Sequence, residues 1–347
     1  MIKKEKAVQS ILFPGDGTVR LEESPEPTPG EGEVVVQVRA SGMCGSEMHF
    51  YHGNFDFDHS MIQGHEPCGV IHSVGPNVPS SVAKPGDSVM IHHYWGCGSC
   101  RRCHEGWAQM CESKEAAKTM AISAHGGHAP LLLVPANTLM PLPEGLSFKA
   151  GAAIGCGTGT AWGAIKRLGS ISDTTVVVFG QGPIGLSAVM FASSMGARVI
   201  AVDVNASRLG QATHFGADLV INSLEEDLVE EVEKFTGGRL ADVIIETSGR
   251  ASSDALSVLG TFGRGVFTGL PGHTEFRTQD IYKKQWTLMT SWTMSWSEQA
   301  RCADYIKAHN LPVDDLFSHS WRLDQAAEAY EWFAKQDAGK GVFEFSE

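Results

Sequence analysis

Three cysteines recur at steps of three residues, Cys97, Cys100 and Cys103, and a fourth, Cys111, follows eight residues on. Four thiolates at this spacing can close a tetrahedral site around one zinc ion. Gly96 and Gly98 flank the first of them and let the backbone curl so that the sulfurs converge. A redox pair needs two cysteines, not four. Two disulfides would need an oxidising compartment, and the rest of the chain is expected to sit in a reducing one. A zinc with four protein ligands has no open coordination position, so this metal is expected to hold a lobe together and do no chemistry.

A second motif, Gly180-Gln181-Gly182-Pro183-Ile184-Gly185, follows an apolar run that ends at Phe179 and opens a helical stretch towards Met195. Gly180 makes a tight turn, Gly182 leaves room for a pyrophosphate, and Gly185 lets the helix pack close to a sheet. Pro183 suits the first helical turn, where its missing N–H costs nothing. Ile184 completes the turn, and the helix N-terminus offers backbone donors to phosphate. Asp203 ends the next apolar run, where a carboxylate can hold the adenosine ribose hydroxyls and repel a 2′-phosphate. That selects NAD over NADP. Arg208 lies close enough to stack on adenine or to contact a phosphate. The simpler alternative is that the glycines only turn the chain and Asp203 caps a helix. Strand, turn, helix and acidic residue falling in order favour the dinucleotide.

These groups need a frame. Glu33–Ala40, Gly69–Val74 and Asp87–Ile91 read as strands punctuated by Pro29-Gly30 and Pro85-Gly86-Asp87, which suggests a β-rich, barrel-like first domain. The cysteine cluster is an excursion between Ile91 and Ala116. Near Gly151 the texture changes. Apolar runs at 174–179, 198–202, 218–221, 242–246 and 265–268 follow at helix-sized gaps, the pattern of a doubly wound parallel sheet. Gln285–Ser291 reads as a sixth strand and Gln325–Ala334 as a helix. The expected division is a catalytic domain over 1–156, a nucleotide-binding domain over 157–290, and a return to the first domain over 291–347.

A chain of 347 residues suits two domains, and 42% hydrophobic residues is the level of a globular protein. A formal net charge of -13 opposes nucleic acid or an anionic membrane as partner. No apolar run reaches the length of a membrane span. Met1–Lys6 has a basic start with no apolar segment behind it, so it is not a secretory signal. Eight cysteines without a leader read as reduced thiols and metal ligands, with the cytoplasm as the default compartment.

Gly42-Met43-Cys44-Gly45-Ser46-Glu47-Met48-His49, Gly64-His65-Glu66, the four-cysteine run, Gly155-Cys156-Gly157-Thr158-Gly159-Thr160 and the glycine-rich turn with Asp203 occur in one order. Over essentially its whole length the chain resembles the zinc-containing medium-chain alcohol dehydrogenases. The resemblance implies a GroES-like catalytic domain joined to a Rossmann domain, two zinc ions per subunit, and NAD. It implies that Cys44, His65 and Cys156 hold a catalytic zinc with one position left open, a set for which alcohol dehydrogenase is itself the standard example. Ser46 matches a hydroxyl that hydrogen-bonds the substrate oxygen, and His49 a histidine that passes the proton to solvent. Glu66 matches a carboxylate near the metal, and Thr160 a residue packed on the nicotinamide. Glu47 departs from the family's usual aspartate, which orients the zinc-bound histidine; it keeps the charge and adds a methylene.

Phe50, Tyr51, Phe55 and Phe57, interleaved with His52, Asp56, Asp58 and His59, are candidates for a substrate pocket, and Trp95, Trp292 and Trp296 for the cleft or a subunit contact. The remaining histidines, His92, His93 and His128 among them, read as surface or packing residues, and Cys68 and Cys302 as inert. The reaction implied is hydride transfer from a secondary alcohol or polyol to NAD. Polyol members often use glutamate as a zinc ligand where this chain has Gly155-Cys156, which weighs against sorbitol dehydrogenase itself. The alternatives are a carbonyl reductase running in reverse and, in another class, a non-catalytic dinucleotide-binding sensor or structural protein. The segment Trp286–Ser291 resembles the one through which the family pairs its sheets, so a homodimer or homotetramer is expected.

Overall fold

In the strand Glu33–Gly42 every residue from Val34 to Gly42 is buried or half-buried, so it needs neighbours on both sides and both faces. The computed structural model, which describes residues 7–337 and 339–346, supplies them. Met1–Lys6, read above as a basic start, lie outside the described residues. Glu33–Gly42 is central to a seven-stranded sheet in the order Phe317–Trp321, Lys340–Glu344, Glu33–Gly42, Glu66–Val74, Ser88–Ile91, Leu139–Pro141, with Leu131–Pro135 also paired to Glu33–Gly42. Val34, Val36 and Val38 pack with Ile71, Val89, Ile91, Leu132 and Val134 to form its core. Bulges at Val35/Val36 and Val38/Ala40 bend the sheet.

Register at the end of Glu33–Gly42 sets up the chemistry. Gly42 pairs with Glu66 on one side and with Val342 on the other. Cys44, two residues past Gly42, therefore emerges beside His65, one residue before Glu66. Lys340, two residues before Val342, lies level with Cys44. Gly42 is required here: a Cβ would lie 2.2 Å from Glu66 Oε2 and 3.2 Å from Lys340 Cε.

The second sheet has six parallel strands in the order Leu219–Asn222, Arg198–Asp203, Thr175–Phe179, Ala241–Glu246, Leu259–Phe267, Thr287–Thr290. Counted along the chain this is 3-2-1-4-5-6, the doubly wound order, and it opens a crevice beside Thr175–Phe179. All five residues of that strand are buried. The fifth strand is longer than its apolar part, because it starts at Leu259 and carries Gly260, Gly263 and Phe262 at φ +62°. Gln285 sits at φ +54° and delays the sixth strand to Thr287.

Two helices, Phe148–Gly155 and Gly157–Leu168, bridge the sheets, and Cys156 is the joint between them. The Ser147 hydroxyl caps the first by accepting from the Ala150 N–H. The helix Trp296–His309 packs on the second, where the Trp162 indole donates to Glu298 at 2.8 Å. The chain then returns to the first sheet through Phe317–Trp321 and Lys340–Glu344, with the helix Ala326–Ala334 between them.

Candidate active site

Cys44, His65, Glu66 and Cys156 bring one ligand atom each to within 4.8 Å of one another. The two sulfurs are 3.9 Å apart. The hydrogen bond from Cys156, together with the nearby His65, pulls the Cys44 thiol well below its ordinary pKa, and the same contact with burial pushes Cys156 up. A thiolate, an imidazole and a second thiol converging in a buried corner are a donor set suited to zinc. The second cluster, Cys97, Cys100, Cys103 and Cys111, also lies within 4.8 Å. A Cβ on Gly96 would come within 2.7–2.9 Å of Cys111 and Cys103, and Gly98 sits at φ +69°, so both glycines are needed. Backbone N–H groups of Cys97 and Cys100 donate to Cys111 and Cys97 sulfurs, both at 3.3 Å. The Ser99 hydroxyl lowers Cys97 to about 6, while burial raises Cys103 to about 12.

Ser46 and His49 share one helical turn at the mouth of the first cluster. The Ser46 hydroxyl donates to the Cys44 sulfur at 3.3 Å, and the half-buried His49 ring lies 4.9 Å from exposed Phe55. Glu66 is fully buried and 2.5 Å from the ammonium of Lys340, also buried, which donates to the Met43 carbonyl at 2.9 Å. Burial pushes Glu66 up to about 8 against the pull of that ammonium. Glu47 reaches His65 Nδ1 at 3.2 Å, so the added methylene does not break the contact expected of the shorter acid. Burial raises the Glu47 carboxyl, but His128 and His65 outweigh it and hold the group far below the carboxylate range.

The glycine-rich turn caps Thr175–Phe179. Gly180 sits at φ +84°, a Cβ on Gly185 would lie 1.7 Å from the Gly180 carbonyl, and the space beside Gly182 is open for 4 Å. Pro183 and Ile184 start the helix Pro183–Ser194 and face Gly157, one residue after Cys156. Thr160 is buried one turn further on. The Asp203 carboxylate accepts from the N–H groups of Gln181, Val204 and Asn205. Arg208 does not stand free for a phosphate: it donates to the carbonyls of Gln336 and Asp337 and lies 3.8 Å from Asp203.

Residues 30–144 match the alcohol dehydrogenase GroES-like domain, and residues 183–308 match the zinc-binding dehydrogenase domain. An uncharacterized zinc-type alcohol dehydrogenase-like protein, YphC of Escherichia coli K12, is 35% identical over 98% of this chain and 99% of its own. The chain belongs to the zinc-containing medium-chain alcohol dehydrogenase family. An L-threonine 3-dehydrogenase of Pyrococcus horikoshii is 30% identical over 95% of this chain and 96% of its own. Among solved structures, the short chain alcohol dehydrogenase rspB of E. coli CFT073, complexed with NADH, superposes with a TM-score of 0.86 at 26% identity, covering 98% and 99% of the two chains.

Against this family pattern, the pocket candidates divide. Tyr51 packs in the core against Phe13 and Tyr330, not in a cleft. Trp95 and Trp296 line a hollow beside the four-cysteine lobe, with Gly96, Cys103 and His104. Trp292 is half exposed and meets the Tyr94 ring edge-on. Four residues escaped the sequence reading: Lys340, His93, His128 and Tyr330. His93 is buried, with its ring 5.2 Å from that of His65 and Nδ1 2.9 Å from the Gly155 carbonyl. Nothing local marks Lys340, since a lysine between Gly339 and Gly341 reads as a surface residue.

Proposed function

We propose that this member of the family is a zinc- and NAD-dependent dehydrogenase that oxidises a secondary alcohol or polyol. The observation that carries the reading is the convergence of Cys44, His65, Glu66 and Cys156 beside Ser46 and the glycine-rich turn. Cys44, His65 and Cys156 would hold the catalytic zinc, and Cys97, Cys100, Cys103 and Cys111 a structural one. When bound, zinc supplies Lewis-acid charge that makes a neighbouring hydroxyl more acidic, and NAD supplies the hydride acceptor.

The chain's own residues do the rest. Ser46 Oγ, at the edge of the cluster, orients the substrate hydroxyl and takes its proton. His49, on the same turn and reaching solvent, carries the proton away, a task suited to imidazole. Loss of the hydride from the carbon to NAD and of the proton from its hydroxyl through Ser46 and His49 leaves a ketone or aldehyde. The first turn of Pro183–Ser194 receives the pyrophosphate in the open space at Gly182. Asp203, already aimed at that turn, favours the unphosphorylated ribose. Among the described residues no helix is long and apolar enough to cross a membrane. The reduced thiols that both metal sites require support a cytoplasmic setting.

The test is NADH formation across secondary alcohols and polyols, repeated with NADP. Turnover is expected with NAD on at least one of these, and Cys44→Ser is expected to cut kcat by at least about a thousandfold, the scale of several kcal/mol of lost charge stabilisation. Two metals bound with no turnover on any alcohol would sink the reading.

A further inference from the structure

A chain of buried hydrogen bonds runs from Glu47 into the C-terminal helix. Tyr330 Oη lies 2.8 Å from Glu47 Oε2, His128 Nε2 lies 2.7 Å from Tyr330 Oη, and Ser41 Oγ lies 2.7 Å from His128 Nδ1. Ser41, Glu47, His128 and Tyr330 are all fully buried, so none of these groups can turn to water. An ionised carboxylate only accepts, and that fixes the directions from Glu47 as far as His128. Tyr330 must donate to Glu47. Its oxygen then accepts from His128 Nε2–H, and in a neutral His128 the remaining Nδ1 accepts from the Ser41 hydroxyl. The other carboxylate oxygen, Oε1, lies 3.2 Å from His65 Nδ1, so Glu47 faces that edge of the ring and the Nε2 edge is left for the metal cluster. The four groups linked to Glu47 come from separate places in the chain: the end of the strand Glu33–Gly42, the loop after Gly126-Gly127, the helix Ala326–Ala334, and His65 itself.

We propose that Tyr330 and His128 are positioning residues for the catalytic metal: they fix the longer Glu47 side chain in one place, and through it the tautomer and angle of His65. The glutamate has one more rotatable bond than the aspartate usual in the family, and Tyr330 on its second oxygen removes that freedom. This rests on the reading of Cys44, His65 and Cys156 as metal ligands. Outer partners of a metal-bound histidine typically govern metal affinity by 10–100-fold.

The experiment measures metal content and zinc release to a chelator for the whole protein, with the four-cysteine zinc as internal control. In Tyr330→Phe the catalytic zinc is expected to leave about tenfold faster or more, with the other zinc unchanged. In a Glu47→Gln background the same substitution should add little, because it acts through that carboxylate. Ser41→Ala, a smaller change at the far end, should speed release less but in the same direction. Release at the wild-type rate from Tyr330→Phe and Ser41→Ala would overturn the proposal. So would equal acceleration at both zincs, or full additivity with Glu47→Gln, either of which marks a general loss of packing. A wild-type chain that holds one metal only would instead overturn the ligand reading itself.

Discussion

Lys340 shows how much one residue depends on distant register. By type and spacing a lysine between Gly339 and Gly341 belongs on the surface. It is 1% exposed because Lys340–Glu344 pairs antiparallel with Glu33–Gly42, which sets its ammonium 2.5 Å from Glu66. Local sequence does not contain that pairing. The metal-ligand candidates were legible because each lies in a short motif. Their outer partners were not, since Tyr330 and His128 meet Glu47 only through the fold. The Glu66–Lys340 pair gives a prediction at this scale. Above about pH 8, where the Glu66 carboxyl is ionised against the Lys340 ammonium, removing one partner of this buried pair costs about 3–5 kcal/mol. Lys340→Met should lose that much in urea unfolding measured above about pH 8, and Glu66→Gln in the same chain should return most of it. If Lys340→Met melts as the wild type does, the pair contributes nothing to stability.

At the scale of elements, strands with continuous apolar runs were readable, and Thr175–Phe179 and Arg198–Asp203 differ from their sequence bounds by one residue at most. Phe317–Trp321, with Ser318, His319 and Ser320 exposed, carries no such pattern and is a strand only because Lys340–Glu344 pairs with it. Leu259–Phe267 was cut short by its glycines. The glycine-rich turn separates two effects that look alike in sequence. Gly185 has no room for a Cβ, whereas Gly182 is extended and faces open space. Gly185→Ala should therefore destabilise the fold by about 1–3 kcal/mol through overpacking. Gly182→Ala should leave the melting temperature unchanged and weaken NAD binding by roughly tenfold, about 1.4 kcal/mol, read by titration of the cofactor. Equal loss of stability in both variants would remove the pyrophosphate from this turn.

On the scale of the whole molecule, the six-stranded sheet ends at Thr287–Thr290, which among the described residues has a strand partner on one side only. Thr287 and Thr290 are exposed and Leu288 and Met289 half-buried. An unpaired edge of this kind is a template for another strand, and a chain that stays in solution must cover or blunt it. No lysine, proline or glutamate blunts Thr287–Thr290. A second copy related by a two-fold axis would cover it edge to edge, each strand meeting its own equivalent and continuing the sheet across both chains. The wild type is therefore expected to sediment at no less than twice the chain mass. Thr287→Lys with Thr290→Lys would set like charges opposite their own copies and replace the β-favouring threonines. Dissociation should strengthen by at least about tenfold, equivalent to 1.4 kcal/mol, and the change should fade in high salt as the charges are screened. A wild type that sediments as a single chain, or a doubly substituted protein that associates as tightly as its parent, would place the subunit contact elsewhere on the surface.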